Sequence, residues 1–169
     1  MVKVLDKGIM MEHNAREFYL AAARNTKSKD GKILLDWLAD FESGHEARLK
    51  AKKDDLLKHP VMRGVDLEPL KDYNVSETGG AIHLPIEPTE TDIIKVALEN
   101  EHKAYAFFQK KISFTEDPSI EALFREMAHE EDRHIQILND QLQSLKIKKL
   151  WIDMKEFDDF MKYKSKSSS

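Results

Sequence analysis

The chain has 169 residues, enough for one domain with a buried core, and a formal net charge of -4. It contains no cysteine, which excludes disulfides, thiolate zinc sites, rubredoxin-type iron and cysteine nucleophiles. Hydrophobic residues make up 41% and charged residues 34%, with only 6 Gly and 5 Pro, a composition that favours helix; neither half is strongly acidic or basic, so nucleic acid is not an expected partner. The charged opening residues and the lack of a long uncharged run predict a soluble, cytoplasmic protein with no membrane span.

Apolar residues recur at helical spacing in four segments. The first spans about 2–24, with Leu5, Ile9, Ala15, Tyr19 and Ala22 on one stripe. Residues 25–31 read as a short turn with capping residues. The second helix follows to about Lys58, carrying Leu34, Leu38 and Leu49, and Pro60 ends it. From about 59 to 90 the pattern is lost among four prolines and three glycines (Pro60, Gly64, Pro69, Gly79, Gly80, Pro85 and Pro88); a crossover running the length of a bundle would account for so long a connection. The third helix starts near Thr89 or Thr91 and carries Ile94, Ala97, Leu98, Ala104, Tyr105 and Phe108. Asp117 followed by Pro118 is a helix cap and first-turn proline, and the fourth helix carries Ile120, Leu123, Met127, Leu138 and Leu142 to about Leu145. A short amphipathic helix is expected over 151–163 and a flexible tail over 164–169. The expected architecture is therefore all-α: residues 1–150 form an antiparallel four-helix bundle of two helical hairpins joined by one long crossover.

Polar residues interrupt the stripes at positions that should face the core. Glu12 continues the row of Leu5, Ile9, Ala15 and Tyr19, and Glu101 that of Ile94, Leu98, Ala104 and Phe108. Glu42 and His45 follow Leu38, while Glu131 and His134 sit between Met127 and Leu138. Four converging buried carboxylates would repel one another and lose their hydration, so something positive must compensate, and a metal is the simplest candidate. Glu12 and Glu42 are 30 residues apart, as are Glu101 and Glu131, and each pair straddles its turn almost symmetrically. In an antiparallel hairpin such residues lie at one height, with each histidine one turn beyond. The halves also repeat at an offset of 89: Glu12, His13, Ala15, Phe18, Ala39, Glu42 and His45 recur as Glu101, His102, Ala104, Phe107, Ala128, Glu131 and His134.

Four carboxylates and two imidazoles exceed the needs of one zinc ion and suit two octahedral-leaning ions such as iron or manganese. Four carboxylates balance two divalent charges. The expected ligands are Glu12, Glu42, His45, Glu101, Glu131 and His134, with Glu42 and Glu131 bridging, Glu12 and Glu101 terminal, and one histidine on each ion. Tyr19 and Glu130 are candidates for hydrogen bonds to those ligands. His13 and His102, one residue beyond a ligand, are rotated off its face and read as flank residues. His59, His83 and His129, and Glu17 and Glu99, read as solvated positions.

The two Glu-x-x-Ala-x-x-Phe-aromatic stretches (12–19 and 101–108) and the two Ala-x-x-Glu-x-x-His stretches (39–45 and 128–134) resemble the rubrerythrin and ferritin-like di-iron superfamily, within it the short forms without a rubredoxin domain. The resemblance spans roughly positions 2–145. It implies a ferritin-like four-helix bundle, two iron ions as cofactors, with manganese or a mixed pair as the alternative, and oxidation of ferrous iron or reduction of peroxide or dioxygen. Full rubrerythrins carry a cysteine-ligated iron domain; without cysteine, this chain would need an external electron donor. They also typically carry a glutamate one turn after the third-helix ligand, where this sequence has Ala104. The resemblance implies a homodimer too. Two other readings stay open: an iron-binding or sensing protein whose metal is structural or stored, and a charged bundle whose glutamates reach water.

Overall fold

The structure is a computed structural model, and it describes residues 1–58, 82 and 88–153. Four helices, α1 (Val2–Asn25), α2 (Lys29–Lys58), α3 (Glu90–Ile112) and α4 (Pro118–Ile147), make up nearly all of them. The fold is an all-α four-helix bundle. α3 starts behind a capping box in which the Thr89 side chain accepts from the Asp92 N–H and Asp92 accepts from the Thr89 N–H. Asp117 caps α4 through the N–H groups of Ser119 and Ile120, with Pro118 in the first turn.

One expectation shifts. The turn assigned to residues 25–31 is shorter, because α2 already begins at Lys29. The Ser28 side chain accepts the Gly31 N–H at 3.2 Å and so starts the helix three residues early.

α1 pairs with α2 and α3 with α4 as antiparallel hairpins, and the hairpins meet chiefly through α1 and α3. Thr26, after α1, donates to Glu90, at the start of α3, at 3.0 Å. At the other end of the bundle Lys53 pairs with Asp6 at 2.6 Å and Lys52 donates to Ser119 at 2.9 Å. The end of α2 and the start of α3 thus lie at opposite ends of the molecule. The expected crossover over 59–90 lies, apart from Ile82, Pro88, Thr89 and Glu90, outside the described residues. So does the expected helix over 151–163 beyond Asp153, and Trp151–Asp153 are not helical.

The apolar core is divided in two. One cluster, near the α1–α2 turn, contains Tyr19, Leu34, Leu38, Ile94, Ala97 and Leu138. The other, near the α3–α4 turn, contains Leu5, Leu49, Phe108, Ile120, Phe124 and Met127. Between them lies a layer of buried charge. After α4, Lys149 adopts the left-handed conformation (φ 58°), and Gln141 accepts the Ile152 N–H at 3.0 Å, so the chain folds back and Trp151 is buried against the first cluster.

Gly31 faces that indole. A Cβ there would stand 2.5 Å from Trp151 Cε2, whereas a Cβ on Gly44 would meet nothing within 4 Å. Gly31→Ala is expected to expel the Trp151 ring, red-shifting indole fluorescence and costing about 1–3 kcal/mol. Gly44→Ala should instead gain up to about 1 kcal/mol through helix propensity alone. Paired thermal melts of the two variants check both signs.

Candidate metal centre

The buried layer consists of the six side chains singled out in the sequence. Glu12 comes from α1, Glu42 and His45 from α2, Glu101 from α3, and Glu131 and His134 from α4, and none is more than 2% exposed. The Glu-x-x-His spacing places Glu42 with His45, and Glu131 with His134, on one inward face each. Leu38 and Leu49 on α2, and Met127 and Leu138 on α4, bury the turns on either side.

The six groups form two overlapping sets. Donor atoms of Glu12, Glu42, His45 and Glu131 all lie within 4.8 Å of one another, and so do those of Glu42, Glu101, Glu131 and His134. Glu42 and Glu131 belong to both sets. This is the arrangement two ions would need if those two carboxylates bridged and each end supplied one further Glu and one His.

Both imidazoles turn Nδ1 toward the carboxylates. His45 Nδ1 lies 3.1 Å from Glu12 Oε2 and 3.3 Å from Glu42 Oε2. It also lies 2.9 Å from Glu131 Oε1, though without hydrogen-bond alignment, since that oxygen has no hydrogen-bond partner. His134 Nδ1 lies 3.2 Å from Glu131 Oε2 and 3.4 Å from Glu101 Oε2. The two rings are nearly parallel, with centroids 5.7 Å apart.

Several lone pairs in this dry layer have no donor among the described residues: Oε1 of Glu12, both carboxylate oxygens of Glu42 and Oε1 of Glu131. A buried carboxylate oxygen without a partner costs free energy, and a folded chain with several at one point is built for something that supplies positive charge. Oxygen-rich donors with two imidazoles fit first-row ions of octahedral preference. The residues present fit a pair of such ions.

The charge pattern agrees. Burial, reinforced by Glu131, Glu101 and Glu12, holds the Glu42 carboxyl well above its ordinary range. Burial, with Glu12 and Glu101, pushes Glu131 up to about 8. Burial opposes a charge on His45, but the surrounding carboxylates of Glu12, Glu130, Glu131 and Glu42 override it and hold the imidazole far above its usual value. His134 behaves likewise, raised to about 9 by Glu101 and Glu131 against burial. Glu101 goes the other way, to about 2, because the His134 charge and its hydrogen bonds outweigh burial. Without metal, protons are favoured on the two histidines and on Glu42 and Glu131, where they offset the crowding of negative charge.

Of the two outer groups, Tyr19 donates its hydroxyl to Glu101 Oε1 in a short hydrogen bond, and burial with the surrounding carboxylates keeps that phenol protonated. Glu130 lies 2.9 Å from His45 Nε2 and is itself held by Arg48. Sequence reasoning missed Arg48, which also reaches Glu126 at 2.8 Å and so ties α2 to α4; its place one turn after His45 was the available signal. It also missed Trp37 and Phe41, whose rings stand edge-on to His134 at 5.9 and 5.3 Å. Neither His13, which pairs with Arg16 and Glu46 outside the layer, nor the exposed His102 and His129 belongs to the site. Glu17 and Glu99 are exposed, and His59 and His83 lie outside the described residues.

Residues 92–167 match the family model described as Rubrerythrin. No curated protein matches the chain. Among solved structures, a hypothetical protein from Pyrococcus furiosus superposes with a TM-score of 0.67 at 24% identity, covering 85% of this chain and 89% of that one. A bacterioferritin from Rhodobacter capsulatus, solved with a metal-free dinuclear site and haem iron, superposes with a TM-score of 0.65 at 17% identity, covering 86% and 84%. Among the described residues, no helix is long and apolar enough to cross a membrane.

Proposed function

Because this chain is a rubrerythrin-like member of the ferritin-like di-iron superfamily, we propose that it is a non-haem di-iron oxidoreductase that oxidises ferrous iron or reduces peroxide or dioxygen. The observation that carries the reading is the doubly shared cage, in which two four-residue sets have Glu42 and Glu131 in common and several carboxylate oxygens have no other partner. Glu12, Glu42, His45, Glu101, Glu131 and His134 would hold two iron ions, which would supply the redox chemistry.

The chain's own groups supply the rest. Four carboxylates balance two divalent ions, so the dry interior carries little net charge when the site is filled. The leucine, phenylalanine and methionine side chains above and below exclude bulk water. The Tyr19 hydroxyl fixes Glu101 through Oε1 and leaves Oε2 on the His134 side. Electrons would come from an external donor, since the chain has no cysteine to hold a relay iron.

A second reading, iron binding or storage with little turnover, is favoured by Ala104. One turn after Glu101, it is 8% exposed and packs in the apolar core, so it adds no seventh ligand.

Elemental analysis followed by stopped-flow optical spectroscopy separates the readings. The proposed enzyme should retain about two iron ions per chain and oxidise many equivalents of added ferrous iron, or consume peroxide, over repeated cycles. Two ions with a single oxidation event would support storage. A chain that takes up no stoichiometric metal would overturn the proposal.

A further inference from the structure

The internal repeat is broken at one informative place. At the offset of 89 that superposes ligand on ligand, Glu130 corresponds to Phe41. Each of these residues sits against the histidine contributed by the opposite hairpin. Glu130 of α4 meets Nε2 of His45 at 2.9 Å, and Phe41 of α2 meets the ring of His134 at 5.3 Å.

Resting on the di-metal reading above, we propose that the two metal positions are unequal. The Glu12/His45 position binds an ion first and tightly, the Glu101/His134 position binds second and weakly, and Glu130 is the positioning residue that makes the difference.

The difference lies in the histidine tautomers. A histidine that binds a metal through Nδ1 must carry its proton on Nε2. At His45 a carboxylate, anchored by Arg48 and able only to accept, stands ready for that proton. At His134 the outer nitrogen has no hydrogen-bond partner among the described residues, and the rings of Phe41 and Trp37 pack against the imidazole. Metal binding there leaves a buried N–H unsatisfied, which carries a desolvation cost. The terminal glutamates add to the imbalance. Glu12 Oε1 has no partner among the described residues and is available to an ion, whereas Oε1 of Glu101 is committed to Tyr19.

Losing an outer carboxylate partner of this kind typically weakens metal affinity about 10- to 100-fold. Two ions sharing bridging ligands also repel, so unequal binding steps alone would not prove the point. The variant response does. The full chain, stripped of metal, is titrated with Co(II) at fixed pH and followed by calorimetry and visible ligand-field absorption. If the positions are unequal, Glu130→Gln lowers the first binding constant about 10- to 100-fold and leaves the second within about twofold. If they are equal, the first ion moves to the intact position, so the first constant falls only about twofold and the second takes the loss. The reciprocal variant Phe41→Glu, at a half-buried position, is expected to raise the second constant and leave the first nearly unchanged. A purely structural role for Glu130 would not predict that gain.

Loss confined to the second step, or equal loss in both, overturns the proposed inequality. Co(II) binding that is absent from the unsubstituted chain would instead overturn the di-metal reading itself, and the inequality with it.

Discussion

Replacing Glu42 by leucine is expected to raise the melting temperature of the metal-free protein by about 4–8 °C while destroying its ability to hold paired metal ions. The two effects have one cause. Glu42 is 1% exposed, and neither of its oxygens has a hydrogen-bond partner among the described residues. Leucine has similar volume, breaks no hydrogen bond and relieves repulsion with Glu131, Glu101 and Glu12. Exchanging buried, unsatisfied polar or ionic groups for a packed apolar side chain commonly gains about 1–4 kcal/mol, and in a chain of this size each kcal/mol moves the midpoint by about 2–4 °C. Glu101→Leu should behave oppositely in the metal-free state. It strands the Tyr19 hydroxyl and removes the principal counter-charge of His134, so the midpoint should fall. Calorimetric melts with elemental analysis of both variants test the pair. A Glu42→Leu protein that melts lower than the parent would mean that this carboxylate supports the metal-free fold, contrary to what its unpartnered oxygens imply.

Much of this was legible from sequence because the informative signals are local. The Asp117-Pro118 cap, the Thr89 start and the Glu-x-x-His spacing depend on residues within one helical turn, and the structure places each where local chemistry demands. The six buried polar residues were legible for a further reason: the repeat puts the same breaks in the apolar stripe in both halves. What stayed hidden depends on how one helix is rotated against another. Arg48 reaches Glu126 and Glu130 across 78 and 82 residues of sequence. Glu46 is 5% exposed, and Arg16, 30 residues away, meets it with an ion pair at 2.8 Å. No periodicity within α2 distinguishes either from an ordinary solvated charge. The start of α2 was misplaced for a similar reason, since Gly31 reads as a turn residue until the Trp151 ring is seen to need its missing side chain.

Metal uptake should release up to four protons at neutral pH, from His45, His134, Glu42 and Glu131, and should strengthen as pH rises. Each of these groups has to lose its proton before its donor atom can face a cation. In the metal-free fold Glu131 is held at about 8 and His134 at about 9, against ordinary values of 4.5 and 6.5. Between those limits the folded chain binds more protons than the unfolded chain. The stability these two groups contribute is therefore complete below their ordinary values and is lost as pH climbs through about 8 and about 9. The metal-free melting temperature should accordingly fall from neutral to mildly alkaline pH, over the same interval in which affinity for the ions rises. Filled with metal, the site has no such protons to lose, so its melting temperature should stay nearly flat and the stabilisation by metal should widen with pH. Calorimetric titration in buffers of different ionisation enthalpy counts the protons, and paired melts follow the two curves. A metal-free midpoint that rises over this interval, or uptake that releases no protons, would mean that the six groups do not share protons in place of cations.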